Sequence, residues 1–128
     1  MTHKTVLLVE DEIFVAMDIQ MTLEDEGWTV AGPFPSTAEA LSYLDKDTPT
    51  CAILDVRLTD GDVFPVADRL REASVPFVFH SGHADGRALE EAYPESAFCQ
   101  KPCLPTSLVQ QVERLVRSNR PVRQVAAG

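Results

Sequence analysis

The chain has 128 residues, of which 45% are hydrophobic and 24% are charged, a composition typical of one globular domain. Its formal net charge of −9 argues against nucleic acid or an anionic membrane as a direct partner, and suits a divalent cation or a basic protein surface. No apolar stretch approaches the roughly 20 residues that span a bilayer, and no signal-peptide pattern follows the first methionine, so we expect a cytoplasmic protein.

The first half of the chain alternates between short apolar runs and amphipathic segments. The run at 5–9 predicts a strand, and a helix is predicted over about residues 12–26, followed by a second strand at 28–31. The capping-box spacing that starts at Ser36 predicts the next helix. The apolar positions that predict the helix at 12–26 are Ile13, Ala16, Met17, Met21 and Leu23.

The second half continues this alternation and ends in a basic segment. The predicted elements are a strand at 51–54, a helix through 63–71, a strand at 77–79, a short and mobile helix within 82–93, a strand at 97–99 and a last helix after Pro105. Five strand–helix units in strict alternation predict a parallel sheet with helices on both faces. We expect one domain over 1–118 and a flexible tail over 119–128.

Four of the predicted strands end at residue types that phosphoryl transfer needs. Glu10 and Asp11 follow the first strand, and Asp55 follows the third. Ser81 and Lys101 stand just beyond the fourth and fifth strands. Ligands of open α/β sheets bind outside the carboxyl ends of the strands. We therefore expect three carboxylates, one hydroxyl and one ammonium to meet in one crevice.

Three carboxylates in one crevice are electrostatically costly without a cation. Oxygen ligands of this kind suit Mg²⁺, which binds through one or two carboxylates and completes its shell with water and phosphate oxygens. Lys101 supplies the complementary charge, and Pro102 after it favours an extended or cis backbone. Each residue also has a simpler interpretation when it is viewed alone. Glu10 and Asp11 would then only interact favourably with the positive end of the next helix, and Asp55 would only be a turn residue after a strand.

The three cysteines, Cys51, Cys99 and Cys103, form no disulfide framework, and Cys51 and Cys99 are expected to act as small core hydrophobes because they fall inside apolar strand runs. A metal site that combines the last two with His80 and His83 is an alternative. Its Cys-x3-Cys and His-x2-His spacings are loose, so core packing is favoured.

The motifs resemble the receiver domain of two-component response regulators over about residues 4–118. They are Val-Glu-Asp-Glu, Ile-Leu-Asp-Val-Arg-Leu-x-Asp-Gly, Phe-His-Ser-Gly-His and Gln-Lys-Pro, in this order. The resemblance implies an α/β fold, (βα)5, with a doubly wound five-stranded parallel sheet of flavodoxin-like order 2-1-3-4-5. It implies a stand-alone, single-domain receiver. More loosely, the segment 75–83 resembles a subgroup of single-domain receivers with Pro-Phe-x-Phe-Ala-Thr-Gly-Tyr, in which His80, Ser81 and His83 here replace Ala, Thr and Tyr.

The resemblance also implies roles for the site residues. Asp55 becomes the phosphoacceptor, assisted by Ser81 and Lys101. The implied Mg²⁺ ligands are Glu10, Asp11, Asp55 and the backbone carbonyl of Arg57.

Two further pairs of residues take implied roles in switching and in timing. Ser81 and Phe98 would rearrange on phosphorylation, although the family often has Tyr where Phe98 stands. Plain strand packing is the alternative for Phe98. Arg57 and His83 would tune the lifetime of the aspartyl phosphate.

The implied function is a phosphorylation-dependent signalling switch. A sensor histidine kinase phosphorylates Asp55, and the signal passes by contact through the fourth helix, fifth strand and last helix. The alternative is a phosphorelay intermediate or phosphate sink that passes phosphate to a histidine phosphotransfer protein. The chain would catalyse only its own phosphorylation and autodephosphorylation, and its partners would be the kinase and a downstream protein, with no nucleic acid and no membrane.

Two other function classes remain open but disfavoured. A phosphatase of the haloacid-dehalogenase type needs a second acid two residues after its nucleophile, where Arg57 stands. An unphosphorylated binding module is disfavoured because all the reactive positions are filled.

Overall fold

The computed structural model describes residues 4–82 and 86–127, with side chains up to residue 118. The strands are β1 (Thr5–Val9), β2 (Thr29–Phe34), β3 (Cys51–Asp55), β4 (Arg57–Leu58), β5 (Gly61–Asp62), β6 (Phe77–Ser81) and β7 (Ala97–Gln100). The helices are α1 (Ile13–Asp25), α2 (Thr37–Leu44), α3 (Phe64–Glu72), α4 (Gly86–Ala92) and α5 (Pro105–Ala127). None of the helices in these described ranges has the length and apolar character that a membrane span requires.

Five of the strands form one parallel sheet in the order β2-β1-β3-β6-β7, which is 2-1-3-4-5 when only these strands are counted. The α/β fold class and the sheet order are therefore as expected. The two-residue strands β4 and β5 form a small antiparallel hairpin directly after β3. The chain winds outward in both directions from β1 and β3, which opens a crevice at the carboxyl edge of these two strands.

The sheet is buried on both faces, because helices cover each side. On one face, Val6 and Leu8 of β1 pack with apolar residues of α1 and α5. On the other face, Leu7 and Val9 pack with apolar residues of α2, α3 and α4. Burial on both faces explains why the strand sequences are continuous apolar runs.

The helix α1 has apolar side chains on two sides, which the sequence pattern did not separate. Its buried residues are Ala16, Ile19 and Leu23. Ile13, Met17 and Met21, which helped to predict the helix, point to solvent with 66%, 47% and 60% of their surface exposed. The helix was predicted correctly, but only part of its apolar stripe reaches the core.

The loop after β3 is tied to the start of α2 by Asp60. Its carboxylate accepts hydrogen bonds from the backbone N–H groups of Thr37 (2.9 Å) and Ala38 (3.1 Å), and these bonds lower the pKa of Asp60. The Thr37 hydroxyl donates to the Asp62 carbonyl at 2.8 Å. Ser36 completes the cap by accepting from the N–H of Glu39, as the capping-box spacing predicts.

Two expectations concern the end of α5 and the residue His83. The helix α5 continues to Ala127, through residues that the sequence assigned to a flexible tail. Their backbone is helical, while the division into a domain over 1–118 and a tail over 119–128 stays a prediction. His83 lies outside the described residues.

Candidate functional site

The carboxyl edge of the sheet brings the predicted site residues together. Glu10 directly follows β1, Asp55 is the last residue of β3, Ser81 is the last residue of β6, and Lys101 directly follows β7. The parallel register places these strand ends side by side, because Asp55 lies opposite the residue before Ser81. The backbone N–H of Lys101 donates to the Ser81 carbonyl at 3.0 Å, which fixes the start of the last loop.

Three carboxylates form the centre of the site. One oxygen each from Glu10, Asp11 and Asp55 lies within 4.8 Å of the others. In the part of the chain that the structure describes, no group of three that includes Cys99, Cys103 or His80 comes this close. Cys51 and Cys99 are instead buried free thiols, as core packing predicts.

The ammonium of Lys101 is shared among three acids. Its Nζ lies 3.0 Å from Glu12 Oε1, 3.3 Å from Asp55 Oδ2 and 3.4 Å from Glu10 Oε2. The peptide bond between Lys101 and Pro102 is cis. The side chain of Lys101 is only 21% exposed, so these ion pairs are screened less than surface pairs.

The pKa values at the site show an excess of negative charge. Burial, and then the charge of Asp55, raise the pKa of Glu10 to about 8 and also raise the pKa of Asp11. Burial alone would lower the pKa of Lys101, but its bonds to Glu12 and the charges of Glu10 and Asp55 raise it. One ammonium therefore does not neutralise the cluster, and the raised pKa values mean that Glu10 and Asp11 hold their protons more tightly than free carboxyls do.

This donor set fits a hard divalent cation. Mg²⁺ prefers carboxylate and carbonyl oxygens, and the Glu10, Asp11 and Asp55 oxygens already converge. Burial and then repulsion by Asp55 raise the pKa values of Glu10 and Asp11, and a cation placed among these carboxylates would offset both effects.

The sequence profile of the response regulator receiver domain matches residues 6–113. The chain belongs to the response regulator receiver family. Receivers are signalling domains of two-component systems, and they bind Mg²⁺ in an acidic pocket and interact with histidine kinases and downstream partners.

Two curated relatives of this receiver are longer proteins. The chain is 30% identical to the C4-dicarboxylate transport transcriptional regulatory protein DctD of Rhizobium meliloti, over 95% of the chain and 28% of DctD. It is 31% identical to the phyllosphere-induced regulator PhyR of Methylorubrum extorquens, over 80% of the chain and 40% of PhyR. The chain thus spans less than half the length of either relative.

Solved structures of similar size have the same fold. A response regulator receiver protein from Sinorhizobium medicae WSM419 superposes with a TM-score of 0.83 at 29% identity, covering 92% of this chain and 98% of that one. SdrG from Sphingomonas melonis Fr1 superposes with a TM-score of 0.75 at 30% identity, covering 91% and 99%.

The remaining predicted residues of this receiver surround the acidic cluster or lie one element away. The backbone N–H of Arg57 donates to Asp55 Oδ1 at 3.4 Å, and its side chain is exposed. Ser81 is buried at the end of β6. Phe98 is half-buried with its ring against α4, where a methyl group added at Gly86 would lie 3.0 Å from ring atom Cδ2.

Two residues at the site were not among the predicted ones. Glu12 makes the shortest contact to Lys101, at 3.0 Å. His80 is 2% exposed, and its Nδ1 lies 3.8 Å from Glu10 Oε1. Burial and the charge of Lys101 lower the pKa of His80 to about 4. Two features of the sequence could have pointed to these residues. Glu12 is the last residue of the Val-Glu-Asp-Glu motif, and His80 is a polar residue within a buried strand, on the face opposite Ser81.

An exposed apolar surface lies beside the site. Its residues on α1 are Ile13, Phe14, Met17 and Met21, which we call the α1 patch, and Leu104 in the loop after β7 is exposed as well. Phe14 is the most exposed of them at 80%. These are all the exposed large hydrophobic side chains in the described part of the chain. Single exposed apolar residues are ordinary, but a concentration of them marks an interaction surface.

Proposed function

We propose that this receiver is a Mg²⁺-dependent aspartyl-phosphate switch in which Asp55 accepts a phosphoryl group from the phosphohistidine of a sensor kinase. One observation carries the proposal. The Asp55 carboxylate belongs to the three-acid cluster, and its Oδ2 also lies 3.3 Å from the Lys101 ammonium. A nucleophilic carboxylate, oxygen ligands for a cation and a second positive charge are the parts that phosphoryl transfer requires.

The chemical step follows from this arrangement. An Asp55 oxygen attacks the phosphorus atom in line, the phosphorus–nitrogen bond breaks, and its electron pair returns to the imidazole of the donor. When bound through Glu10, Asp11, Asp55 and the Arg57 carbonyl, Mg²⁺ supplies positive charge to the phosphoryl oxygens. Catalysis is then mainly positioning and charge stabilisation, because the protein itself forms only one new bond.

The position of Lys101 supports the role that we propose for it. Its Nζ lies within ion-pair distance of Asp55, so a rotation of the side chain is enough to reach an oxygen of the phosphoryl group. The bond to Glu12, which is exposed, costs little to give up, since surface ion pairs contribute on the order of 0–1 kcal/mol.

The switch involves Ser81 and Phe98. The Ser81 hydroxyl would donate to a phosphoryl oxygen, and the Phe98 ring would move inward as Ser81 shifts. Phe98 now packs against Gly86 at the start of α4, so a change of its rotamer alters the surface formed by α4, β7 and α5. We assign the contact with a downstream protein to this surface.

The α1 patch is the docking surface that we assign to the phosphodonor protein. The patch starts next to the site, because α1 begins directly after the Glu10–Glu12 segment. A protein that brings a phosphohistidine to Asp55 has to cover this rim. Burial of exposed apolar side chains would then contribute to binding, and the net charge of −9 suits a basic partner surface.

A direct test is phosphorylation of the purified chain by acetyl phosphate with Mg²⁺, followed by intact mass. We expect the wild type and Asp25→Asn to gain one phosphoryl group, and Asp55→Asn to gain none. Asp25 is a suitable control because it is exposed at the end of α1. The proposal would be contradicted if Asp55→Asn were labelled as fully as the wild type, or if the wild type stayed unmodified.

A second experiment separates the effector from the phosphorelay. Phosphorylated chain is mixed with a histidine phosphotransfer protein, and loss of label from Asp55 is followed. An effector keeps its label and binds a target only in the phosphorylated form, whereas a relay or sink transfers the label.

Arg57 offers a test of the lifetime of the phosphorylated form. Its exposed side chain starts next to the acceptor carboxylate, where it hinders the approach of water. We expect Arg57→Ala to shorten the half-life of the aspartyl phosphate several-fold, as measured by loss of label after removal of the donor. An unchanged decay rate would remove this role.

A further inference from the structure

The buried histidine beside the acidic cluster is unusual because, among the described residues, its ring nitrogens have no hydrogen-bond partner. His80 is 2% exposed, and neither Nδ1 nor Nε2 has a hydrogen-bond partner within the described part of the chain. Buried polar side-chain atoms nearly always have such a partner, and leaving one unpaired destabilises the fold. A ring that only fills space at this position would be more stable as an apolar side chain.

The nearest acid to His80 is Glu10, one of the three clustered carboxylates. His80 Nδ1 lies 3.8 Å from Glu10 Oε1, and the Glu10 side chain is 1% exposed. The other oxygen, Oε2, accepts from the N–H of Glu12 at 3.2 Å and from Lys101 at 3.4 Å. The two oxygens of Glu10 therefore face different groups, with His80 beside Oε1.

We infer that His80 is a positioning residue for Glu10, whose Nδ1–H donates to Oε1 and holds the carboxylate in the orientation that binds the cation. The inference rests on the proposed function, since it needs Glu10 as a metal ligand. The separation of 3.8 Å exceeds hydrogen-bond length by less than 1 Å, which a small rotation of either side chain removes.

The physical reason is that a carboxylate must be ionised to bind a metal, and a buried ionised carboxylate needs donors. Side chains that hold a metal ligand from behind fix its direction, and their loss typically weakens metal affinity about 10–100-fold. Neutral histidine carries one N–H, so donation from Nδ1 requires the tautomer with the proton on that atom.

The experiment measures Mg²⁺ affinity of the unphosphorylated chain by calorimetry for the wild type and four variants, which are His80→Asn, His80→Leu, Glu10→Gln and the double variant Glu10→Gln with His80→Leu. His80→Asn retains a donor near the position of Nδ1, whereas His80→Leu retains volume and loses the donor. We expect His80→Leu to weaken Mg²⁺ binding about tenfold or more, and His80→Asn to stay within about threefold of the wild type. In a Glu10→Gln background, His80→Leu should add no further loss.

Two results would overturn the inference. One is wild-type Mg²⁺ affinity in His80→Leu, and the other is equal weakening in His80→Leu and His80→Asn, which indicates a packing role. If His80→Leu fails to fold, the wild type still decides the question. Nitrogen NMR of labelled histidine should show the proton on Nδ1 in the presence of Mg²⁺, and a proton on Nε2 contradicts the inference.

Failure of this inference is distinguishable from failure of the proposed function. Acetyl phosphate labelling is run on the same samples. Normal labelling of Asp55 in the wild type with unchanged Mg²⁺ binding in His80→Leu rejects only the role of His80. An unlabelled wild type rejects the switch itself.

Discussion

At the scale of single residues, Tyr93 shows how one side chain joins the core to the surface. Its ring lies 5.4–6.0 Å from the rings of Phe64, Phe77 and Phe79, measured between centroids. Its hydroxyl donates to Asp68 Oδ1 at 2.8 Å. Burial, followed by the bond and the charge of Asp68, raises the pKa of Tyr93 from 10.0 to about 12.

This shift predicts a loss of stability at alkaline pH. Between pH 10 and 12 the unfolded chain releases the Tyr93 proton while the folded chain retains it, so the free energy of unfolding falls as pH rises. Tyr93→Phe should be destabilised by about 1 kcal/mol below pH 10 and should lose less stability above it. Urea unfolding over this pH range checks the difference, and parallel pH profiles of the two proteins would contradict it.

Most of the site residues could be named from the sequence, whereas Glu12 and His80 were not among the predicted ones. Asp55 and Lys101 could be placed because a parallel sheet collects the carboxyl ends of its strands at one edge. Glu12 and His80 were missed because their contacts depend on side-chain rotamers and on the face of a strand. Whether each placed residue acts as predicted depends on the experiments above.

At the scale of elements, α1 combines a buried face with an exposed apolar one. The core contacts come from Ala16, Ile19 and Leu23, and the α1 patch occupies the other side. Apolar spacing alone predicted the helix but did not separate the two faces, because both follow helical periodicity.

If the kinase docks on the α1 patch, substitutions there should slow phosphorylation by the kinase but not by a small phosphodonor. Phe14→Ser combined with Met17→Ser should slow phosphorylation by the kinase about tenfold or more, because two apolar contacts are lost at the interface. Phosphorylation by acetyl phosphate should be unchanged, since the small donor needs no docking surface. Asp25→Ser on the same helix is the matched control, and equal slowing with both donors would argue against docking.

The turn within β2 gives a prediction about stability. Gly32 has φ of +105°, and a methyl group added there would lie 2.7 Å from the Leu8 carbonyl oxygen. Gly27 has φ of +89° with open space around it, so it controls for backbone conformation alone. We expect Gly27→Ala to cost about 1 kcal/mol and Gly32→Ala at least about 2 kcal/mol. Equal losses in thermal or urea unfolding would show that the close approach is easily relieved.

At the scale of the whole molecule, the sequence pattern predicted the α/β class because helices and strands alternate strictly. The pattern alone did not order the strands, since each parallel pair is joined by a similar crossover. The order 2-1-3-4-5 came from the family resemblance. The helix α5 extends beyond residue 118, where the sequence carries a proline and no clear apolar stripe and so gave no helical signal.

The acidic edge of the molecule predicts that Mg²⁺ stabilises the fold. A cation that binds only the folded chain adds about 2.7 kcal/mol at a concentration of about 100 times its Kd. We expect the Tm of the wild type to rise by several degrees with Mg²⁺, and that of Asp11→Asn to rise less. Calorimetry against KCl at equal ionic strength checks this, and an equal rise with K⁺ would indicate general screening instead.

Because one Lys101 ammonium pairs with three carboxylates, substitutions on the acidic and the basic side should have unequal effects on the unphosphorylated protein. Glu10, Glu12 and Asp55 each hold the same ammonium, so the acidic side is redundant and any one partner can be lost while two remain. The basic side has no such reserve among the described residues. A single substitution of Lys101 would break all three ion pairs together. Only a bound cation could then offset the negative charge of the clustered carboxylates.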